Sequence, residues 1–237
     1  MNLIELLQRH APDFERVVPF EPERDKLLRL DFTRNNRELN AELLEDAIAF
    51  THYINNKLHD AGAVYGIGGY GEHRTIYRVS RVFDGNNGGE PRRLHLGIDI
   101  WGKPLTKVMA PVDGIIHSLG YNNDYGDYGA TIILSHQIEG CTFYTLYGHL
   151  SLNSLKNLQD GDRVEAGDVF AEFGIPAENG HWPPHLHFQI IQNLQGMKGD
   201  YPGVCTYSDR EMNLQNCPDP DLILQMMQYA ATDAVEA

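Results

Sequence analysis

The spacing of hydrophobic residues along the chain predicts helices near both ends. The run NRELNAELLEDAIAFTHYINNKL, residues 36–58, has the period of an amphipathic helix, and the tail segment DPDLILQMMQYAA, residues 219–231, has it again. A first short stripe consists of Leu3, Ile4, Leu6 and Leu7. The stripe on the longer run consists of Leu39, Leu43, Leu44, Ala47, Ile48, Thr51 and Ile54. We therefore expect helical additions at both ends of the chain.

The middle of the chain has a different pattern, made of short β-like runs separated by Gly, Asp and Asn turns. These runs include LHLGIDIW, GATIILSH, CTFYTLYGHL and HLHFQII, and no helical stretch intervenes between them. Strands at this spacing are typical of an antiparallel sandwich or barrel. We predict a mainly β protein with three parts: a helical N-terminal region over 1–60, a β domain over 61–195, and a tail over 196–237 whose helix packs on the core.

Two of the predicted strands alternate completely between apolar and polar positions. In one strand His95, Gly97 and Asp99 share a face, and in the other His185, His187 and Gln189 do so. The opposite faces, which should point into a core, carry Leu94, Leu96, Ile98 and Ile100 in the first strand and Leu186, Phe188 and Ile190 in the second. Each strand therefore presents imidazoles or a carboxylate on the side that faces away from the core.

Histidine and carboxylate are ligand types that zinc takes, and a catalytic zinc site uses three protein ligands with a fourth position left for water. In a flat strand, positions four apart are separated by about 13 Å. His95 and Asp99 can share one ion only if the backbone bends between them, and Gly97 permits such a bend. We therefore predict an irregular strand at Gly97. His149 closes the run CTFYTLYGHL and should lie at the rim of a cleft floored by the sheet.

Composition and charge narrow the classes of partner. Asp and Glu outnumber Lys and Arg by 33 to 19, for a formal charge of −14, which argues against nucleic acid and anionic membranes as partners. The three cysteines form no close pair and no disulfide framework. The start of the sequence does not resemble a secretory signal, and no run approaches the length of a membrane span. On these grounds we expect a cytoplasmic protein, and the sequence does not indicate its oligomeric state.

The segments HLGIDI, APVDG, YGHL and HLHFQI, in this order, resemble the lysostaphin/LytM-type zinc metallopeptidases over roughly residues 92–192. The resemblance implies a β-sandwich of the duplicated hybrid motif type and one zinc ion. It implies that the ion is held by His95, Asp99 and His187. It also implies that His149 and His185 are the two catalytic histidines that do not bind the metal.

By the same resemblance the activity is that of an endopeptidase or amidase, in which a metal-activated water hydrolyses a peptide or small amide. Cell-wall peptide is the family's usual substrate, which places an envelope or periplasmic location beside the cytoplasmic expectation. We expect Trp182 and Tyr147 to contact the substrate. The sequence departs from the family where Gln189 replaces the usual Glu, and where Trp182 and two prolines replace a small, flexible loop.

Two other functional classes stay open at this point. One is a regulatory or binding module that keeps the fold and the zinc without hydrolysis, since one fold can carry unrelated functions. WPPHLHFQ and the PGVC and NCPDP segments resemble, more weakly, modules that are joined to kinase-like and aminotransferase-like enzymes. The other class is a phosphocarrier-like protein with paired histidines, which Asp99 and the H-x-H spacing disfavour.

Overall fold

The computed structural model describes residues 2–85 and 88–232. The α-helices are α1 (Leu3–His10), α2 (Ala41–Glu45), α3 (Ala47–Ala61), α4 (Arg210–Asn216) and α5 (Asp221–Leu224). The strands are β1 (Leu27–Arg29), β2 (Tyr65–Gly68), β3 (Leu94–His95), β4 (Ile98–Trp101), β5 (Lys107–Met109), β6 (Gly114–Asn122), β7 (Gly129–Ile138), β8 (Cys141–Leu150), β9 (Arg163–Val164), β10 (Val169–Glu172), β11 (His185–Ile191), β12 (Val204–Cys205) and β13 (Ala230–Thr232).

A nine-stranded sheet organises the described chain, in the order β13-β1-β2-β4-β11-β8-β7-β6-β9. Pairing is antiparallel from β2 to β9, which confirms the prediction of a mainly β, antiparallel architecture. At one edge β1 pairs in parallel with both β2 and β13, so segments from the two ends of the chain extend the sheet. Two further sheets have two strands each, β5 with β10 and β3 with β12.

The main core lies on one face of the large sheet. Ile98 and Ile100 of β4 and the apolar face of β11 pack there with Val108 of β5 and Ala171 of β10. Alternation along β4 and β11 therefore runs as the sequence predicts. Leu94 and Leu96 do not share this core, because the chain turns between β3 and β4; they pack in a separate cluster with Tyr201 and Cys205.

The helical run at residues 36–58 is divided into two helices. α2 ends at Asp46, whose carboxylate accepts hydrogen bonds from the backbone N–H groups of Ile48 and Ala49 and so starts α3 afresh. α3 ends at Gly62, which has the left-handed conformation that glycine adopts at helix ends. The N-terminal region also contributes the strand β1, which the helical prediction for residues 1–60 did not include.

The helix predicted over residues 219–231 is wrong for most of its length. α5 ends after one turn because Gln225 adopts φ +49°, outside the right-handed helical region, and the chain continues into β13. The Asp221 carboxylate accepts the backbone N–H groups of Met226 and Met227, which stabilises this early end. Ile223 and Leu224 of α5 are buried in the main core. Residues 233–237 of the predicted tail lie outside the described residues.

Within residues 2–85 and 88–232, no helix combines the length and the apolar composition that a bilayer crossing requires.

Candidate metal centre and its pocket

The register of two neighbouring strands places the predicted site residues opposite one another. β11 pairs with β4 so that His187 lies opposite Asp99 and His185 lies opposite Trp101. Opposed residues in an antiparallel pair point to the same face of the sheet. The polar face of β11 is thereby set against the carboxylate of β4, on the side of the sheet away from the main core.

The chain bends at Gly97, as the sequence predicts. Leu96 and Gly97 belong to neither β3 nor β4, and the two strands pair with different partners. A Cβ atom at residue 97 would lie 2.5 Å from Cε1 and 2.6 Å from Nε2 of His187. The absence of a side chain therefore permits both the bend and the close approach of the His187 ring. The bend brings His95 back towards Asp99.

Three side-chain atoms converge at this bend. Nε2 of His95 lies 2.9 Å from Nδ1 of His187, Nδ1 of His187 lies 3.1 Å from Oδ1 of Asp99, and Nε2 of His95 lies 3.4 Å from the same oxygen. Four ligands placed tetrahedrally at zinc bond lengths of about 2.0–2.1 Å would be about 3.3 Å apart. The three atoms thus have the spacing of one face of a zinc coordination tetrahedron, and all three side chains are buried.

The remaining ring nitrogens fix which atoms carry protons. Nδ1 of His95 lies 3.1 Å from the carbonyl oxygen of Gly69, and a carbonyl can only accept, so this nitrogen is the donor. Nε2 of His187 donates to Oε1 of Gln189 at 2.9 Å, since the amide nitrogen of Gln189 faces the Pro202 carbonyl at 3.2 Å. In the neutral rings, the converging nitrogens therefore present lone pairs.

The electrostatics of the cluster favour the proton-free forms of His95 and Asp99. Burial, with Arg74 beside it, lowers the pKa of His95 to about 3. Burial alone would raise the pKa of Asp99, but the neighbouring His95 and Arg74 hold it well below its usual range. Three acceptor atoms consequently face one another with no donor among them. A bound cation is the partner that such an arrangement fits, so these residues can hold a metal.

His149 and His185 lie beside the cluster with a common arrangement of their own. Nδ1 of His149 donates to the Asn179 carbonyl at 2.8 Å, and Nδ1 of His185 donates to the Pro183 carbonyl at 2.7 Å. Their ring centroids are 4.0 Å apart. Burial lowers the pKa of His185 to about 4 and that of His149 well below its usual range. Both rings are therefore neutral, and each keeps an Nε2 lone pair for chemistry.

A bulge in β8 turns His149 towards the site. Between the pairs Leu150–Ala130 and Tyr147–Ile132, β8 has one more residue than β7, and His149 has φ +62°. Tyr147, two residues earlier, stays on the core face, fully buried against Phe188, and it does not line the pocket of the site.

The other expected contact, Trp182, does line the pocket. Its indole N–H donates to the Gly126 carbonyl at 3.0 Å, and its ring packs edge-on to Phe50 and Tyr77. The pocket has a volume of about 110 Å³. It is lined by the His95–Asp99–His187 cluster and by both further histidines. The tail reaches it too, because residues 200–204 form part of the lining.

Sequence reasoning missed Arg74, which is 1% exposed and lies inside the pocket. Its guanidinium donates to Oδ2 of Asp99, to Glu72 at 2.8 Å and to the Tyr77 hydroxyl at 3.2 Å. With Oδ2 occupied in this way, only Oδ1 of Asp99 faces the cluster. Arg74 lies 25 positions before Asp99 in a segment without a recognisable motif, so no spacing signal could have assigned it.

Comparisons with known proteins find similar sequences. Residues 93–198 match the sequence profile described as Peptidase family M23. The L-Ala–D-Glu endopeptidase of Bacillus subtilis (strain 168) is 29% identical over 140 residues, covering 54% of this chain and 41% of that protein. The chain therefore spans about two fifths of the length of this curated relative.

Among solved structures, the catalytic domain of lysostaphin from Staphylococcus simulans is similar at 26% identity with a TM-score of 0.41, over 69% of this chain and 96% of that one. A zinc-containing peptidase from Vibrio cholerae is similar at 24% identity with a TM-score of 0.33, over 41% of this chain and 27% of that one.

Residues 93–198, which hold the cluster of two histidines and one aspartate, are thus similar in sequence to peptidase family M23.

Proposed function

We propose that this protein is a zinc-dependent peptidase or amidase that hydrolyses a peptide or small amide bond. One zinc ion would be held by Nε2 of His95, Oδ1 of Asp99 and Nδ1 of His187. The observation that carries the proposal is the convergence of three buried acceptor atoms, 2.9–3.4 Å apart, with no proton donor among them. When bound, the zinc ion would supply Lewis acidity, which polarises an amide carbonyl and lowers the pKa of a water molecule towards about 7.

The residues around the cluster supply the proton transfers. Amide hydrolysis forms a bond between the water oxygen and the carbonyl carbon, breaks the C–N bond, and places one proton on the leaving nitrogen. His149 and His185 are neutral and present Nε2 lone pairs, so one can accept the water proton and return it to the leaving nitrogen. While it holds that proton, the imidazolium can stabilise the charge that develops on the carbonyl oxygen, and the neutral Nε2 of the other ring can accept a hydrogen bond from the water.

Carbonyl partners make these two histidines effective for such a role. Each Nδ1–H is tied to a backbone oxygen, which orients the ring and keeps Nε2 available. His185 is also stacked on Trp101, with centroids 3.8 Å apart and planes 13° apart. The rings are therefore held in place before a substrate binds, which reduces the entropic cost of reaching the transition state.

Metal content and hydrolysis together test the proposal. Wild-type protein dialysed against zinc should retain one ion per chain by mass spectrometry, whereas His95→Ala and His187→Ala should retain none. His52→Ala, at an exposed position on α3, is the matched control and should behave as wild type. Peptides that contain an L-Ala–D-Glu bond, taken from the name of the curated relative, are the first substrates to assay.

The same assay separates hydrolysis from a purely regulatory role. His149→Ala should keep its zinc and lose hydrolysis by a factor of about 10²–10⁴, the usual contribution of a general acid or base. A wild-type protein that takes up no zinc would refute the metal site. Zinc uptake with no hydrolysis of any peptide or amide would favour the non-hydrolytic module instead.

A further inference from the structure

Both tryptophans of the chain, Trp101 and Trp182, line the pocket of the metal cluster and are buried, at 1% and 6% exposed. They differ in what happens to the indole N–H. That of Trp182 donates to the Gly126 carbonyl at 3.0 Å, whereas that of Trp101 has no acceptor among the described residues. The same pocket therefore contains one satisfied indole donor and one unsatisfied indole donor.

The strand β4 places Trp101 on the face of the sheet that carries the metal cluster. Trp101 is two residues beyond Asp99, and successive residues of a strand point to opposite faces, so these two side chains share a face. The register with β11 sets Trp101 opposite His185, as it sets Asp99 opposite His187. The Trp101 ring is thus placed beside the histidines by the same pairing that assembles the cluster.

Packing on several sides fixes the orientation of the Trp101 ring. It is stacked on His185, with centroids 3.8 Å apart and planes 13° apart. Phe32 and Phe50 pack against it at centroid distances of 5.2 Å and 6.1 Å, within one buried hydrophobic cluster. Because these neighbours hold the ring, the direction of its N–H bond is set before a ligand binds.

The unsatisfied N–H of Trp101 is an exception in this protein. Within residues 2–85 and 88–232, it is the only buried side-chain nitrogen or oxygen that has no hydrogen-bond partner. An indole N–H can only donate, and a buried indole N–H ordinarily finds an acceptor, since leaving a buried donor unpaired is costly. A ligand in the pocket that carries an acceptor oxygen would remove that cost.

The neighbouring histidines do not offer such a donor before the reaction starts. The Nδ1–H groups of His149 and His185 are tied to backbone carbonyls, and their Nε2 atoms present lone pairs. Neither ring can donate from Nε2 to a substrate oxygen until it has accepted a proton. The N–H of Trp101 is a donor at every stage, so it would hold a substrate oxygen equally well before and during the chemical step.

We propose that Trp101 is a substrate-binding residue whose indole N–H donates a hydrogen bond to a carbonyl or carboxylate oxygen of the bound peptide or amide. This inference rests on the proposed function and adds a residue that contacts the substrate. One face of the Trp101 ring supports His185, and its N–H binds the molecule on which His185 acts. The N–H of Trp182 does not share this role, because the Gly126 carbonyl already occupies it.

Replacement of Trp101 by benzothienylalanine tests the N–H alone, because this residue keeps a bicyclic ring of similar shape and has sulfur in place of N–H. With the L-Ala–D-Glu peptide as substrate, KM should rise about tenfold while kcat and zinc content stay unchanged. Trp101→Phe should raise KM by a similar factor. A wild-type KM in the benzothienylalanine protein, or a fall in kcat at unchanged KM, would show that Trp101 only supports His185 and would overturn the proposal.

The same replacement at Trp182 is the matched control for stability. It removes a donor that is in use and leaves the Gly126 carbonyl unpaired, so the urea midpoint of unfolding should fall. At Trp101 it removes a donor that is not in use, so the midpoint of the substrate-free protein should stay equal or rise. A fall at Trp101 as large as that at Trp182 would mean that the N–H is already satisfied in the free protein, which would overturn the proposal.

NMR of the two indole N–H groups tests the contact without turnover. The probe is the phosphinic analogue of L-alanyl-D-glutamate, added to saturation to zinc-loaded protein. The Trp101 signal should move downfield and its hydrogen exchange should slow at least tenfold, while the exchange rate of the Trp182 signal stays the same. A Trp101 signal that does not respond, or zinc-loaded protein that does not bind the analogue, overturns the proposal. Binding with this response but without hydrolysis of any peptide would count against the proposed function and leave the Trp101 contact standing, so the two failures are distinguishable.

Discussion

The guanidinium of Arg74 is hydrogen-bonded to the Asp99 carboxylate deep inside the pocket, with both side chains at most 3% exposed. This ion pair takes one oxygen of the carboxylate, and the other oxygen faces His95 and His187. One oxygen of Asp99 is therefore paired with a permanent cation, and the other faces the place where a metal would bind. That division has consequences for stability that can be measured.

Arg74→Met should lower the free energy of unfolding of the metal-free protein by about 3–5 kcal/mol, because it leaves Asp99 and Glu72 without their buried partner. Zinc should then stabilise the variant more than it stabilises the wild type, since the ion compensates a carboxylate that has lost its guanidinium. Urea unfolding with a chelator and with added zinc measures both quantities. Arg37→Met, at an exposed position, is the control, and equal zinc increments in Arg74→Met and wild type would contradict the idea.

Gly97→Ala should displace the His187 ring, because the new methyl group would lie 2.5–2.6 Å from two of its atoms. We expect at least a tenfold loss of zinc affinity in a chelator competition, in the range found when the support of a metal ligand is disturbed. We also expect a loss of about 1–3 kcal/mol in stability from overpacking. Gly196→Ala provides the comparison, since nothing lies within 4 Å of a Cβ there although its φ is positive. It should lose stability alone and keep its zinc affinity.

Gln189→Glu should weaken the attachment of residues 199–205 to β11. The Gln189 amide nitrogen donates to the Pro202 carbonyl and to Sγ of Cys217, both at 3.2 Å, and a carboxylate cannot make either donation. A buried acceptor left unpaired costs about 1–3 kcal/mol. The Leu96 amide donates to the Gly203 carbonyl in the same segment, so its hydrogen exchange should accelerate in the variant. Gln192→Glu, at an exposed position one residue beyond β11, should leave this exchange rate unchanged.

His136 lies outside the His95–Asp99–His187 cluster, and we expect it to make the stability of the protein depend on pH. Burial lowers its pKa to about 4 from 6.5, and its ring is held by the Asp113 carbonyl at 2.9 Å and Oγ1 of Thr145 at 2.7 Å. Above pH 6.5 the ring is neutral in both states and stability is full. Between pH 6.5 and 4 only the unfolded chain takes up a proton, so stability falls with falling pH, by at most about 3 kcal/mol.

The His136→Gln variant isolates this contribution. Urea unfolding at pH 7, 6 and 5, in chelator throughout, gives the pH slope of wild type and variant. The wild-type slope should exceed that of the variant by up to about 1.4 kcal/mol per pH unit in this interval. Parallel slopes would show that His136 does not titrate as its burial indicates.

The sequence predicts well those parts of the fold that depend on local alternation. The polar faces of β4 and β11, the bend at Gly97 and the mainly antiparallel sheet all follow from period-two patterning and from the geometry that two ligands on one strand require. Asp99 and His187 come together because adjacent strands in register bring their polar faces together, and the bend at Gly97 brings His95 back to them. The choice of His187 over His185 as the third ligand comes from the resemblance and not from local patterning.

Other features depend on contacts that no local pattern carries. Tyr147 and His149 are two residues apart, but one extra residue in β8 sends them to opposite faces of the sheet. The tail helix stops early because the Asp221 carboxylate caps a turn of its own and Gln225 turns left-handed. Arg74 reaches the site only because its loop packs over the sheet. From the sequence alone, the Arg74 side chain could equally have been placed at the surface.

The edge strands of the large sheet explain why its long inner strands do not promote aggregation. β7 and β8 have ten residues each, but the strands at the two borders are short, two residues in β9 and three in β13. Short edge strands offer few unpaired backbone N–H and C=O groups to another chain. Within the described residues, the strands that would template aggregation best are therefore enclosed between neighbours, and the parallel pairing of β1 with β13 completes this protection with segments drawn from opposite ends of the molecule.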